Sequence, residues 1–289
     1  HYHYDHFTDF DRDLHNKKVL FAKSPNEYIN DSQRQRAQQF YQNLCQAFKN
    51  QDLEALLQVK QARKFTDTFS TLSVAKAKRF GMSMGSDGDY NYDHRRKQVI
   101  KAGKRWFNAR ATQWNLNKAI PELKFKDVEV RWADGRQFIF GETKLKFTAA
   151  LFHGVEYSRV GWVFATVIEY ANEKLMHSSD LSGPVIEDYS DWIIKENPQI
   201  LILDGPMTYM FGYMLNRINL TRAIENATRI VKEIDAELII YDHHLLREHR
   251  FKEFTAPVWQ MAKQLNKYLI TAAEYLGKVP KVLEMMQGK

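Results

Sequence analysis

The chain has 289 residues, 44% hydrophobic and 13% aromatic, which is enough for one large domain or two small ones and unlike a disordered chain. A single cysteine, Cys45, excludes an intrachain disulfide and a cysteine-built zinc site and favours a reducing, cytoplasmic setting. The net charge of +7 is uneven: residues 31–118 hold 17 Lys/Arg against 7 Asp/Glu, and the remainder holds 25 against 28.

The chain opens on His1-Tyr2-His3-Tyr4-Asp5-His6, three imidazoles and a carboxylate within six positions. In an extended segment residues i and i+2 point to the same side, so His1 and His3 can converge on one metal ion. A turn after them lets Asp5 and His6 face a second ion. Imidazole and carboxylate suit zinc, iron or manganese. Four ligands cannot fill two shells, so downstream residues are expected to contribute. The plain alternative is a tag or a loose tail, but tags are runs of His without a set Asp. A metal loop of this kind should follow a buried strand, and nothing precedes it here, so an N-terminally truncated chain is expected.

Residues 7–14 read as a polar turn and residues 19–22 as a short apolar strand. From Asp31 to about Val59, Phe40, Leu44, Phe48, Leu53, Leu56 and Leu57 recur mostly at helical spacing. A second basic helical run is expected over 71–80, a Gly-rich loop over 81–92, and a basic helix over 94–110. The aspartates at 87, 89 and 93 resemble the start of a calcium loop. The twelfth position from Asp87 is Gln98 where that loop needs Glu. From Pro121 the period becomes two, predicting a strand over 123–132. Asp134-Gly135 then predicts a tight hairpin, with strands at 138–140 and 145–147 and a longer one over 161–170. The second half alternates buried strands (201–203, 238–241) with amphipathic helices (220–234, 254–265). No apolar run approaches the ~20 residues of a membrane helix.

Three later places put ligand-type residues just beyond predicted strands, where open sheets build their sites. They are His153-Gly154, His177-Ser178-Ser179-Asp180 and Asp242-His243-His244. Each alone reads as well as a surface or capping residue, and Asp180 could cap a helix that begins near Pro184.

Taken together, the order His-x-His-x-Asp-His, then His, then Asp, then His resembles the metallo-β-lactamase superfamily of binuclear metal hydrolases. The resemblance covers residues 1–30 and 119–277. The wording of residues 1–6, Ala133-Asp134-Gly135-Arg136, His177-Ser178-Ser179-Asp180, residues 204–210, residues 242–247 and Thr271-Ala272-Ala273-Glu274 resembles a mainly archaeal, uncharacterised branch. Its members carry some seventy or more residues before the His motif. The fold it implies is an αββα sandwich of the α/β class, apparently without its first strands. Residues 1–30 and 119–289 would then be the metallo-β-lactamase domain, with residues 31–118 as a basic helical insertion.

The same resemblance implies roles. His1, His3 and His153 would hold one metal; Asp5, His6 and the 242–244 motif the other; Asp180 would bridge them. His243 is the preferred last ligand and His244 the alternative. His177 and Asp242 stand as further candidates, and Asp204 as a partner of a metal-bound His or a turn residue. Two divalent ions, Zn2+ with Mn2+ or Fe2+ as alternatives, would activate a bridging hydroxide, and Asp5 would orient it and accept its proton. In oxygen-reducing relatives a Glu stands where this chain has His3, which tilts the chemistry toward hydrolysis.

The substrate is open between a small molecule (ester, lactone, thioester or phosphate) and a phosphodiester. For the latter, Trp106, Phe107 and Trp114 interleave with Lys101, Lys104, Arg105 and Arg110, as in nucleic-acid surfaces. A solvated helical face with its aromatics turned to the core explains the same pattern and is preferred. A reading of another class is a non-catalytic metal-binding protein.

Overall fold

Among the described residues, each of two units is built on one larger sheet. A computed structural model describes residues 1–6, 10–73 and 89–287. One unit comprises residues 1–135 and 156–163, the other residues 136–155 and 164–289.

In the first unit, β1 (Lys18–Ala22), β2 (Leu123–Lys124) and β3 (Val128–Trp132) form a sheet in the order β1-β3-β2. The run expected to be one strand over 123–132 is instead a small antiparallel hairpin, with Leu123 opposite Val130, because Lys126-Asp127 turn the chain. β1 runs parallel to β3, Lys18 opposite Val128. Parallel neighbours need a long crossover, and residues 23–127 supply it.

That crossover begins with α1 (Asp31–Lys49), opened by a capping box in which Asn30 and Gln33 satisfy each other's backbone N–H. Ala37, Phe40, Tyr41, Leu44 and Cys45 form its buried face. It ends at Asn50, in the left-handed region, nine residues before the expected limit near Val59. A second long helix, α2, spans Asp89–Leu116. Of the expected helical run over 71–80 and the Gly-rich loop with its calcium reading, residues 74–88 lie outside the described residues, and Asp89 to Tyr92 are helical.

Two aromatics of α2, Phe107 and Trp114, are core residues. Phe107 and Trp114 are buried against Tyr28 and Trp162, and Trp106 stacks on Trp162 with ring centroids 5.0 Å apart. Trp114 Nε1 donates to the Ile29 carbonyl at 2.8 Å, and Trp162 Nε1 to Thr68 Oγ1 at 3.1 Å, so the indole donors are satisfied inside. Lys101, Lys104 and Arg105 are exposed on the other side. Phe107 and Trp114, being buried, offer no base-stacking surface.

Asp134-Gly135 does not make a hairpin. β3 belongs to the first sheet and the following strand to the second. Asp134 instead accepts from the Lys23 ammonium (2.6 Å) and the Ser24 amide (2.6 Å), and Lys23 is fully buried. The local Asp-Gly signal was overridden because the carboxylate satisfies a buried cation at the end of β1.

In the second unit β4 (Gln137–Phe140), β5 (Thr143–Phe147), β6 (Thr166–Tyr170), β7 (Glu173–His177), β8 (Ile200–Asp204), β9 (Leu238–Asp242) and β10 (Leu269–Ile270) form one sheet, in the order β10-β9-β8-β7-β6-β5-β4. The strands from β4 to β7 pair antiparallel and those from β7 to β10 parallel. The run over 161–170 is therefore not one strand, since β6 begins only at Thr166.

The parallel strands are joined by α3 (Glu187–Glu196), α4 (Arg217–Glu233) and α5 (Ala256–Gln264). Each crossover advances one strand in the same direction, and right-handed crossovers then put all three helices on one face. α4 packs on α3 and on α5, and Leu220, Ala223, Ala227, Ile230 and Val231 are its buried stripe. The strands supply Met176, Leu201, Leu203, Ile239 and Tyr241, all fully buried, and Tyr241 meets Trp259 of α5. Each such aliphatic side chain contributes about 1.5–3 kcal/mol of burial free energy.

Across β5, β6, β7 and the end of α3 runs a chain of alternating charges. Lys146 pairs with Glu196, Lys174 with Glu196 (3.3 Å) and Glu169 (3.9 Å), and Lys144 with Glu169 (3.1 Å). Among the described residues no helix is long and apolar enough to cross a membrane.

Candidate metal centre

In the second unit the ligand-type residues gather at the carboxyl edge of the parallel strands, where open sheets build their sites. Asp180 follows β7, Asp204 ends β8, and Asp242 ends β9 directly before His243 and His244. Asp204 and Asp242 are partners in register across β8 and β9. His153 follows the short strand Leu151–Phe152.

Asp180 is 1% exposed and lies between imidazoles: its Oδ2 is 3.4 Å from His153 Nε2 and its Oδ1 is 3.5 Å from His243 Nε2. His153 and His244 are also buried, and one donor atom from each of His153, Asp180 and His244 falls within a common 4.8 Å. Asp180 caps no helix, because α3 starts at Glu187 after Ile186.

Asp204 is a hub. It accepts from the Ser182 amide (2.6 Å), from the His244 amide (3.2 Å) and from His244 Nδ1, which is 3.0 Å from each carboxylate oxygen. A carboxylate can only accept, so Nδ1 carries the proton, and in the neutral ring Nε2 is left as the ligating nitrogen. The Asp204 amide in turn donates to Ser178 Oγ at 2.9 Å.

Asp242 and His177 serve their own turns. Asp242 accepts from the His243 amide and the Ala272 amide, both at 2.6 Å, which ties the turn after β9 to the short helix Ala272–Tyr275. His177 is exposed, its Nδ1 accepts from the Ser179 amide at 3.0 Å, and among the described residues it joins no donor group.

Backbone conformation holds these turns in unusual shapes. Ser179, Ser182 and His243 have φ of 59°, 53° and 65°. Non-glycine residues persist there only where the surroundings over-determine them. Gly205 lets two turns touch, since a Cβ on it would sit 2.6 Å from Leu245 Cβ.

In the first unit His1, His3, Asp5 and His6 share one short loop. The His1 ring centroid is 4.8 Å from that of His3 and 4.0 Å from that of His6, and the His6 amide donates to the His3 carbonyl at 3.0 Å. His3 Nε2 lies 3.0 Å from the Val160 carbonyl. A carbonyl only accepts, so Nε2 bears the proton, and Nδ1 is the nitrogen with a lone pair.

Sequence reading missed Ser178, Ser182 and Leu245, whose contributions are backbone groups, a buried hydroxyl and a packing contact; no spacing rule marks them.

No family model matches the chain. It is similar to UPF0282 proteins of archaea: 34% identical over 157 residues to that of Methanopyrus kandleri, covering 54% of this chain and 52% of that protein. To the UPF0282 protein of Methanocaldococcus jannaschii it is 27% identical over 305 residues, covering 100% of this chain and 73% of the other. The chain spans about half the length of the first of these relatives. Among solved structures it is similar to the metallo-β-lactamase fold protein YhfI of Bacillus subtilis, with a TM-score of 0.31, 16% identity and coverage of 52% of this chain and 54% of that one. The UPF0282 protein of Korarchaeum cryptofilum is 31% identical over 210 residues, covering 69% of this chain and 68% of that protein, and the chain belongs to the UPF0282 family.

Proposed function

We propose that this chain carries the site of a metal-dependent hydrolase of the metallo-β-lactamase type, with two divalent ions. The observation that carries the reading is Asp180, a buried carboxylate whose two oxygens each face a different imidazole, at 3.4 and 3.5 Å. Two ligands on one tetrahedral zinc, each about 2.0–2.1 Å from it, stand about 3.3 Å apart. The donor set is hard oxygen and borderline nitrogen without sulfur, which fits Zn2+ ahead of Mn2+ or Fe2+.

His1, His3 and His153 would hold one ion and Asp5, His6 and His243 the other, with Asp180 shared. His244, aligned by Asp204, presents Nε2 to the same cluster and is the alternative to His243. The ions would supply Lewis acidity toward a scissile carbonyl or phosphoryl oxygen and lower the pKa of water toward neutrality. Asp5 would accept the proton of the attacking water. Asp204 keeps His244 in a single tautomer and direction throughout.

Metal content per chain, measured by elemental analysis for the wild type and for Asp180→Asn, tests this. Two ions in the wild type and at least one fewer in the variant are expected. A wild-type chain that retains no metal after equilibration with Zn2+ sinks the reading.

A further inference from the structure

Residues 1–5 of the loop alternate, and His6 breaks the pattern. Odd positions 1, 3 and 5 carry ligand-type side chains, and even positions 2 and 4 carry tyrosines. The tyrosines are where the loop meets α1. Tyr2 is fully buried; its hydroxyl donates to the Lys23 carbonyl and lies 2.9 Å from the Tyr41 hydroxyl. Arg36, five residues earlier on α1, donates from Nε to the Tyr2 carbonyl. Its guanidinium carbon lies 4.8 Å from the Tyr4 ring centroid, and its Nη1 is fixed on Ser32 Oγ at 2.6 Å. The Lys23 end is itself locked by the buried pair with Asp134.

We propose that α1 is the brace of this loop, with Tyr2, Arg36 and Tyr41 as positioning residues that fix the direction of its ligand-type side chains. The proposal gives α1 a task, although the helix lies in the segment that the superfamily resemblance leaves out. It deepens the metal reading, because the residues so aimed are the ligands proposed above. The physical case is anchorage: Tyr2 and Tyr4, on either side of His3, both meet α1, and the chain turns directly after them with the His6 amide on the His3 carbonyl. A planar guanidinium held at three points (Ser32, the Tyr2 carbonyl and the Tyr4 ring) has little freedom left, and its stacking and fork geometry are not reproduced by lysine.

The test uses the whole chain, metal-free and with Zn2+, comparing the wild type with Tyr2→Phe, Arg36→Met and the control Arg34→Met. Arg34 lies on the same helix but donates to the Pro25 and Lys118 carbonyls, away from the loop. In metal-free protein the His6 amide should exchange its hydrogen about tenfold faster or more in Tyr2→Phe and Arg36→Met, and at the wild-type rate in Arg34→Met. With Zn2+ the first two should bind about 10–100-fold more weakly, the range for residues that support ligands. Unchanged exchange in both variants overturns the brace, whatever the metal content. Faster exchange in both, with a wild-type chain that binds no metal, keeps the brace and removes the metal centre.

Discussion

The two units hold their ligand-type residues by different means. In the second unit Asp180, Asp204, His243 and His244 grow out of strand ends, and the parallel ladder from β7 to β9 fixes where each turn begins. There the supporting groups are backbone amides and the strand-end Asp204, so little of the arrangement depends on a side chain far away. In the first unit the four ligand-type residues lie on a loop without a strand of its own, and their direction depends on Tyr2, Arg36 and Tyr41. One half is built into a sheet; the other is braced from a helix. Preorganisation can come from either, but the two should fail differently when cut.

The contrast is broken most forcefully at the foot of the brace. Asp134→Ala leaves the Lys23 ammonium buried without its carboxylate, and removing one partner of such a pair costs about 3–5 kcal/mol. Urea unfolding should show that loss, and the double variant Lys23→Met/Asp134→Leu should recover most of it. A single variant as stable as the wild type would mean that Lys23 finds water. In the sheet-built half, Asp204→Ala should lower Zn2+ affinity by about 10–100-fold by freeing the His244 ring. Isothermal titration reads this directly, and an unchanged affinity would remove His244 from consideration as a ligand. Gly205→Ala is the smallest cut. Its new methyl group meets Leu245 and should destabilise the second unit by about 1–3 kcal/mol as an overpacked contact, read from the unfolding midpoint.

The legible part of the molecule is the part that local signals control. Residues 201–203 and 238–241 announce buried parallel strands by their unbroken apolar runs, and the structure extends them only to Ile200–Asp204 and Leu238–Asp242. The residue types of the site were legible for the same reason: imidazoles and carboxylates directly after such strands. What was not legible depends on partners far apart in the chain. Asp134 reads as a turn residue until Lys23, 111 positions earlier, is seen beneath it. Likewise Arg36 reads as one more positive charge in a basic segment, and only its contact with the Tyr2 carbonyl gives it a task. Trp106, Phe107 and Trp114 show the converse: their spacing among cations suits both a nucleic-acid surface and a helix packed by one side, and the burial of Phe107 and Trp114, with Trp106 half-buried against Trp162, favours the second.

The alternating chain formed by Lys146, Glu196, Lys174, Glu169 and Lys144 bears on heat. Hydration of charged groups weakens as temperature rises, so the penalty for drawing these five side chains together shrinks while their mutual attraction persists. Because the network ties three neighbouring strands to the end of α3, warming strengthens its hold relative to the apolar contacts beneath. The antiparallel flank of the second sheet is thereby suited to stay closed at temperatures where isolated surface pairs contribute little.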